Sequence, residues 1–297
     1  MAFENYTIYR IGLWLIANLP RVLVYMGAGV IAELNFIFNR TGRRGAYANQ
    51  RRALSGETSA FKRWRYVRAA FRHFAYSIVD FFHIPNLRID NCDRYVAEIR
   101  GMEHVQKLRD QGRGGIFITA HMGSWELAGA ALALQGVPLT AAALKHKDPR
   151  IDAIFEDTRP DNIEIVYVGG AMPKLEDALT RGRFIALLAD RDVKGSGPVV
   201  PFFGERTRVP SGHVKLALRQ GAAIIPAITY RVNDFRIVID IREPILVDPE
   251  RDTEEELLER CLREIEGLIR EHPDQWLSFF DLWDRRRLPT HDAHAND

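Results

Sequence analysis

The sequence predicts an α/β fold, in which a sheet is flanked by helices and preceded by an apolar helical segment. From about residue 100 onward, short apolar runs of strand length alternate with helical patterns, as is typical of α/β layer structures. The composition of the 297 residues, 46% hydrophobic and 27% charged, excludes disorder, collagen and low complexity. The two cysteines, Cys92 and Cys261, are too few for a disulfide framework and favour a reducing compartment.

Glycine and proline positions delimit the predicted elements. A helix from residue 102 ends before Gly112, and Pro173 occupies a first-turn position where proline is tolerated. The predicted helices span residues 102–111, 124–134, 150–158, 173–181, 211–220 and 253–271. The predicted strands span residues 115–120, 139–144, 163–168, 184–189, 223–231 and 235–241. Residues 190–210, rich in glycine and proline, are predicted as a loop.

The apolar N-terminal segment, residues 11–38, predicts membrane association. It lacks the features of a signal peptide, and Pro20 divides it. The longer half carries Glu33, which is costly at the centre of a bilayer. Two amphipathic or shallowly inserted helices therefore fit better than one span, although a span stays open. The predicted division is residues 1–45 as membrane-associated helices, 46–290 as the main domain and 291–297 as a disordered tail.

A basic segment follows the apolar run directly. Between residues 40 and 72 the chain carries ten Lys and Arg against one acid, although its net charge is only +2. Such clusters beside an apolar segment are attracted to anionic lipid on the cytoplasmic side, by about 1 kcal/mol per basic residue. We therefore expect Trp14, Arg40, Arg43 and Arg44 to contact an anionic membrane at the cytoplasmic face of the plasma (inner) membrane. A buried helix hairpin is the alternative. Nucleic acid is not an expected partner, since an apolar N-terminal segment would contribute nothing to binding nucleic acid.

The most informative stretch is GIFITAHMGSWEL, residues 115–127. His121 follows a buried strand, where ligands bind in open α/β sheets. In a single helix His121 and Glu126 would lie about 140° apart and could not meet. If His121 lies instead on a strand-to-helix turn that Gly123 permits, Glu126 faces back and accepts from one imidazole nitrogen. This arrangement predicts a general base, with Ser124 as the helix N-cap; a core histidine is the alternative.

The His-x4-Glu block resembles the motif of the glycerolipid acyltransferase superfamily. Its surroundings are similar to the bacterial lipid A biosynthesis (lauroyl/myristoyl) acyltransferases and the related mycobacterial phosphatidylinositol mannoside acyltransferases. Arg159, closing RIDAIFEDTR, matches the position of that branch's active-site arginine, and PDQWLSFFDLW matches a later block. The stretch LLADRDVKGSGPVVPFFGERTRVPSG resembles the block that places Asp190, Asp192, Phe202, Phe203, Gly204, Pro210 and Gly212. The chain departs from the family pattern at Ser124 and Arg191, where Asn and Gln are frequent.

This resemblance implies a glycerolipid-acyltransferase-like fold and an O-acyltransferase activity. The donor would be the thioester acyl-CoA or acyl-ACP, and the acceptor a hydroxyl of a lipid A precursor or related glycolipid. His121 would act as general base and Glu126 would hold its tautomer. No bound cofactor and no metal are expected, because the sequence has neither a metal-ligand cluster nor a dinucleotide glycine fingerprint.

The resemblance also implies a set of substrate-binding residues. Arg159 is expected at the anionic headgroup or the oxyanion. Asp190 and Asp192 are expected to orient Arg159 or another basic residue, and a structural salt-bridge role is the alternative. The helix start at Ser211 and Gly212 offers backbone N–H groups to a phosphate.

Two further function classes stay open at this point. A membrane-associated lipid-binding or scaffold protein would keep the fold without catalysis, which the presence of His121, Glu126 and Arg159 disfavours. An α/β-hydrolase-type esterase would need a G-x-S-x-G elbow, and the sequence around Ser124 reads G-S-W-E instead.

Overall fold

The computed structural model describes residues 6–54, 58–192, 195–233 and 236–284. Within these ranges the helices are α1 Tyr6–Asn18, α2 Arg21–Phe38, α3 Arg40–Ala53, α4 Ala60–His83, α5 Met102–Asp110, α6 Trp125–Leu134, α7 Pro149–Thr158, α8 Met172–Thr180, α9 Gly212–Gln220 and α10 Glu254–Glu271. The strands are β1 Val96–Arg100, β2 Ile116–Thr119, β3 Leu139–Ala143, β4 Ile163–Tyr167, β5 Phe184–Leu188, β6 Val199–Phe202, β7 Glu205–Arg208, β8 Ile224–Asn233 and β9 Arg236–Ile241. The predicted tail, residues 291–297, lies outside the described residues.

Seven of these strands form one sheet in the order β1-β9-β8-β2-β5-β3-β4. Strand β2 runs parallel to both of its neighbours, β5 and β8, and β3 runs parallel to β5 and β4. Only the β8–β9 pair is antiparallel among the described strands of this sheet. The carboxyl ends of β2, β3, β4, β5 and β8 therefore lie along one edge. The α/β class predicted from the sequence is confirmed.

Both faces of the sheet are buried under helices. Ile116 and Ile118 of β2 pack in one core cluster with residues of α8, α9 and α10. Phe117, between them, packs in the opposite cluster with residues of α5, α6 and α7. A parallel strand buried on both faces is apolar at every position, which is why β2 and β5 appear in the sequence as continuous apolar runs.

The structure contains three strands that the sequence did not predict, β1, β6 and β7. Residues 190–210, predicted as a loop, contain the hairpin of β6 and β7. Its two-residue turn is Phe203–Gly204, with φ of +50° and +80°. A turn of this kind normally carries Asn or Gly at both positions, so Phe203 conceals it in the sequence. Strand β1 was also not predicted, because it is only five residues long and only its first residue, Val96, is buried.

The N-terminal segment folds as two helices separated at Pro20, as the sequence predicts. Helix α2 packs on α4 through Tyr25, Ala28 and Ala32. The opposite side of α2 is exposed and apolar, and we call it the apolar face: Val22, Leu23, Met26, Val30, Ile31, Leu34, Ile37 and Phe38. Among the described helices, α2 is the one whose length and composition would suffice to cross a membrane. Helix α3 continues across residue 45, where the sequence was divided.

The four predicted membrane contacts differ in their surroundings. Trp14 is 61% exposed on α1, and Arg40 and Arg44 are exposed on α3. Arg43 instead donates to the carbonyl oxygens of Phe36 and Ile37. Its guanidinium therefore caps the C-terminus of α2, where unsatisfied carbonyl groups favour a cation.

Glu33, the acid within the apolar run, reaches basic side chains of α4. Its carboxylate accepts from Arg68 at 2.7 Å and from Arg72 at 2.9 Å. These hydrogen bonds hold the pKa of Glu33 below its usual value in spite of partial burial. Two of the basic residues that the sequence assigned to the membrane-facing patch are therefore engaged with this acid.

Candidate active site

The register of two parallel strands brings His121 and Asp190 together. Thr119 of β2 pairs with Leu188 of β5 at the carboxyl ends of both strands. Each functional residue follows two positions later, so the two side chains emerge side by side at the same edge. The imidazole Nδ1 of His121 lies 2.6 Å from Oδ1 of Asp190.

Asp190 is enclosed and held from a second side. It is 1% exposed, and its Oδ2 accepts from the indole Nε1 of Trp276 at 2.9 Å. Burial would raise the pKa of Asp190, but the charge and hydrogen bond of His121, the charge of Arg191 and the Trp276 N–H outweigh it and lower the pKa to about 2. Asp190 is therefore ionised, and it can fix the imidazole with Nδ1 as the donor and leave Nε2 for a substrate.

The predicted contact between Glu126 and His121 is wrong. Helix α6 begins at Trp125, whose ring lies edge-on against His121 with 5.4 Å between the ring centroids. The residue of α6 that contacts the imidazole is therefore Trp125. The carboxylate of Glu126 instead accepts from the guanidinium of Arg159 in a forked arrangement, at 3.1 to 3.2 Å.

This pair places Arg159 at the wall of the site. The side chain of Arg159 is 9% exposed and that of Glu126 is 30% exposed. Arg159 pairs with Glu126 and not with Glu156 or Asp157, the two acids that precede it in the sequence. Asp190 does not orient Arg159 either, because it serves His121. His121 therefore pairs with Asp190 where Glu126 was expected, and Arg159 pairs with Glu126 where Asp190 was expected.

The turn from His121 to Ser124 is held by a distant segment of the chain. The N–H of Leu277 donates to the carbonyl of His121 at 2.7 Å, and the N–H of Gly123 donates to that of Gln275 at 3.3 Å. Gly123 has a φ of +52°, and a Cβ there would lie 2.3 Å from the carbonyl oxygen of Thr229. Glycine is therefore required at this position, as the sequence predicts.

Ser124 does not act as the predicted N-cap. It precedes α6, but its side chain makes no capping hydrogen bond to the helix. The hydroxyl donates instead to Asp80 of α4. Asp80 was not identified from the sequence, because an acid in the middle of a helix gives no local signal of a partner in a distant strand.

A cavity of about 680 Å³ opens at this edge of the sheet. Its lining includes six of the residues predicted from the sequence: His121, Glu126, Arg159, Asp192, Ser211 and Gly212. Asp190 lies behind His121 and does not line it. The volume is in the range of small-molecule sites.

The far wall of the cavity is the N-terminus of α9. The carbonyl of Ser211 accepts from the N–H groups of Val214 and Lys215, so Gly212 and His213 begin the helix. His213 also lines the cavity and was missed from the sequence; burial lowers its pKa to about 4, which keeps the imidazole neutral. Lys215 adds a positive charge beside this helix start.

Asp192 and the neighbouring aromatic pair shape the site without forming its chemistry. One carboxylate oxygen of Asp192 accepts from the N–H of Gly197 at 2.6 Å and closes the loop after β5. Phe202 and Phe203 are buried and pack against Trp283, and Phe203 also lies against Trp276. They belong to the core below the cavity.

A second, smaller cavity of about 230 Å³ adjoins the first. It shares Trp125, Glu126 and Phe155 with the larger cavity. Apart from Ser77 and Ser124, its other walls are apolar side chains of α1 and α4: Ile8, Tyr9, Phe74, Ile78, Phe81 and Phe82. Among the described residues, no group of three His, Cys, Asp or Glu side chains is placed to hold a metal ion.

The fold and site define a class of α/β protein in which a buried imidazole–carboxylate pair meets a cavity at the carboxyl edge of a parallel sheet. Residues 3–285 match the family described as bacterial lipid A biosynthesis acyltransferase, and the chain belongs to that family.

The chain is also similar in sequence to acyltransferases of three bacterial species. The chain is 32% identical over 165 residues to a phosphatidylinositol mannoside acyltransferase of Mycolicibacterium smegmatis, covering 54% of each protein. It is 32% identical over 151 residues to the protein of that name from Mycobacterium tuberculosis, covering 49% of this chain and 48% of the relative. A lipid A biosynthesis acyltransferase of Haemophilus influenzae is 24% identical over 200 residues, covering 64% of this chain and 60% of the relative. The chain thus matches about half the length of its mycobacterial relatives.

Among solved structures, the 1-acyl-sn-glycerophosphate acyltransferase of Thermotoga maritima is similar over 86% of this chain and 97% of its own. The TM-score is 0.40 and the sequence identity 16%.

Proposed function

We propose that this protein transfers a fatty acyl chain from an acyl thioester to a hydroxyl group of a glycolipid at a membrane surface. The observation that carries the proposal is the His121–Asp190 pair beside a cavity, in a chain that belongs to the lipid A biosynthesis acyltransferase family. Acyl-CoA and acyl-ACP present the same thioester, and a lipid A precursor or a mannosylated phosphatidylinositol presents the hydroxyl.

In the proposed reaction, Nε2 of His121 takes the proton of the acceptor hydroxyl as its oxygen attacks the thioester carbon. The new C–O bond forms, the C–S bond breaks, and the thiolate leaves with the proton that the imidazolium returns. Asp190 stabilises that imidazolium through Nδ1. General-base assistance of this kind contributes about 10²–10⁴-fold, and the remainder comes from positioning and oxyanion stabilisation.

Arg159 is the residue we assign to an anionic group of the substrates. Its guanidinium lies at the cavity wall, where Glu126 holds it from one side. The proposed role of Glu126 is therefore to orient Arg159, and the tautomer-holding role passes to Asp190. The α9 N-terminus at Ser211 and Gly212, with Lys215, offers a second place for a phosphate.

The apolar surfaces suit lipid substrates. The smaller cavity shares three residues with the larger one and has the apolar walls that a fatty acyl chain requires. The apolar face of α2, with Trp14 and the exposed Arg40 and Arg44, fits an anionic bilayer at the cytoplasmic face of the inner membrane. Contiguous apolar surfaces of this kind mark protein or membrane interaction sites.

The test is thioester turnover by the purified full-length protein in detergent. Palmitoyl-CoA and palmitoyl-ACP are supplied in parallel, with lipid A precursor and phosphatidylinositol mannoside as acceptors, and free thiol is measured. We expect acceptor-dependent thiol release that His121→Ala abolishes. The matched control is His104→Ala, which removes a partly exposed histidine of α5.

Turnover that survives His121→Ala would remove the general-base assignment. No turnover with any donor and acceptor, in a panel that works with a known acyltransferase, would favour the non-catalytic lipid-binding alternative.

A further inference from the structure

A buried ionic cluster joins the N-terminal helix α2 to the turn that carries His121. The cluster consists of Tyr25 of α2, Asp80 of α4, Ser124 of the turn and Arg231 of β8. None of the four is more than 6% exposed. Because its members come from four elements far apart in the sequence, the cluster is a long-range connection, and it lies beside the catalytic pair rather than within it.

Asp80 is the centre of this cluster. Its carboxylate accepts hydrogen bonds from the hydroxyl of Tyr25, the hydroxyl of Ser124 and the guanidinium of Arg231. Arg231 also donates to the Ser124 hydroxyl at 2.9 Å. A buried ion pair is costly to desolvate and depends on further hydrogen bonds to its charges; Tyr25 and Ser124 each donate one to the carboxylate of Asp80.

Arg231 also connects the cluster to Gln275, whose backbone binds Gly123 of the turn. Its backbone N–H donates to the side-chain oxygen of Gln275 at 2.7 Å, and the Gln275 amide donates back to the Arg231 carbonyl at 2.9 Å. The backbone of Gln275 accepts in turn from Gly123. The cluster therefore holds the turn at Ser124 directly and at Gly123 through Gln275, three and two residues, respectively, from His121.

Tyr25 is the member that connects the cluster to α2. It lies on the side of α2 that packs on α4, opposite the apolar face. Its ring also lies under the Arg231 guanidinium, 5.6 Å from the ring centroid. A displacement of α2 along α4 would therefore remove one of the three donors to Asp80 and alter the packing of Arg231.

We propose that Tyr25, Asp80 and Arg231 are positioning residues for His121, so that α2 contributes to the acyl-transfer step as well as to contact with lipid. This inference rests on the proposed function, in which His121 is the base. Tyr25 touches no reacting atom and acts only through Asp80 and Ser124. The N-terminal helix is then a part of the catalytic architecture and not a separable anchor.

The test uses Tyr25→Phe and Ser124→Ala in the full-length protein, because each removes one hydroxyl and leaves the buried ion pair intact. Substitution of Asp80 or Arg231 alone would leave an unpaired buried charge and endanger folding. The matched control is Tyr95→Phe, since Tyr95 is buried to a similar extent but lies outside the cluster and packs on Arg21.

Two readouts separate positioning from general stability. With palmitoyl-CoA and the acceptor giving the fastest turnover in the panel above, we expect both variants to lower kcat by about 10- to 100-fold, as small misplacements of catalytic groups do, with KM unchanged. By proton NMR, assigned with His121→Ala, we expect the hydrogen-bonded Nδ1 proton of His121 to shift in both variants and not in Tyr95→Phe. Flotation with phosphatidylglycerol–phosphatidylethanolamine vesicles should be unaffected.

The outcomes distinguish this inference from the proposed function. Wild-type kcat and an unshifted His121 resonance in both variants would overturn the positioning role while acyl transfer stands. A shifted resonance in a protein that transfers no acyl chain would support the positioning role and reject the reaction. Reduced flotation of Tyr25→Phe, with kcat unchanged, would show that α2 serves contact with lipid alone.

Discussion

The substitution Asp190→Asn isolates the pair on which the proposed chemistry depends. Asp190 is fully enclosed, accepts from the imidazole Nδ1 at 2.6 Å and accepts from the Trp276 indole at 2.9 Å. Asparagine keeps the shape but loses the charge, and its amide group presents a donor to Nδ1. The imidazole would then carry its proton on Nε2, where it cannot accept one from the acceptor hydroxyl. We expect kcat to fall about 10³–10⁴-fold, as for the equivalent change in a serine-hydrolase triad.

The same substitution has a calculable effect on stability. The pKa of Asp190 is lowered from 3.8 to about 2, by the charge of His121 above all, in spite of burial. A carboxyl group with a depressed pKa stabilises the fold above its unfolded pKa, and this contribution is lost as the pH falls through the folded value. The shift corresponds to about 2 kcal/mol. We expect the difference in unfolding free energy between wild type and variant to shrink by about that amount between pH 4 and pH 2.

Steady-state kinetics and urea unfolding at stepped pH measure the two effects. The comparison variant is Asp152→Asn, because Asp152 and His146 form a second pair with the same 2.6 Å separation, in a more exposed position at the wall of the same cavity. An Asp190→Asn enzyme that retains kcat within about threefold of wild type would refute the assignment of Asp190, since a wrong tautomer cannot be so mild. An equal loss in Asp152→Asn would make His146 an equal candidate for the general base.

Three further predictions concern the surroundings of the pair. Trp276→Phe removes the second donor to Asp190 and should lower the free energy of unfolding in urea by about 1.5–3 kcal/mol, which is the value of a hydrogen bond to a charged group. We also expect kcat to fall; an unchanged KM would show that the loss is in the chemical step. Gly123→Ala introduces a Cβ 2.3 Å from the carbonyl of Thr229 at a φ of +52°; we expect a loss of more than about 1 kcal/mol in thermal unfolding, and an unchanged Tm would contradict the geometry of the turn. Ile31→Ser on the apolar face should weaken vesicle flotation about 10-fold, from about 1.5 kcal/mol of lost apolar transfer, without lowering Tm; a fall in Tm would instead indicate that this face is buried against protein.

The order of helices and strands in the α/β region was predictable from the sequence, because each depends on local periodicity. Strands such as β2 and β5 are buried on both faces and are therefore apolar throughout. His121 could be located for the same reason, since it directly follows one of these runs. Glycine and proline positions fixed most element ends to within one or two residues.

The contacts that the site residues make were harder to predict from the sequence. The contact of His121 with Asp190 depends on which strands are neighbours in the sheet, and no local pattern states that β2 adjoins β5. A signal did exist, because both residues stand two positions after an apolar strand. The assignment of Glu126 to His121 failed because proximity in sequence was taken as proximity in space, whereas Glu126 binds Arg159 and Trp125 contacts the imidazole.

Other features depend on still longer separations. The contacts of Asp80 with Arg231 and of Asp190 with Trp276 join segments that share no periodicity. The Phe203 turn was hidden by a residue type that rarely adopts a positive φ. In each case the deciding information is tertiary, and composition and spacing do not carry it.

The pairing of the catalytic turn with Gln275–Leu277 sets an order of events during synthesis. The ribosome releases α1 and α2 first, and the turn itself emerges long before the segment that must bridge to it. Contacts between such distant segments form late, because the entropy cost of ordering the intervening chain comes before the energy gained from the contacts. The turn at His121 therefore lacks this support until residues 275–277 have been synthesised. The catalytic turn therefore reaches its final support only when nearly the whole chain has been made.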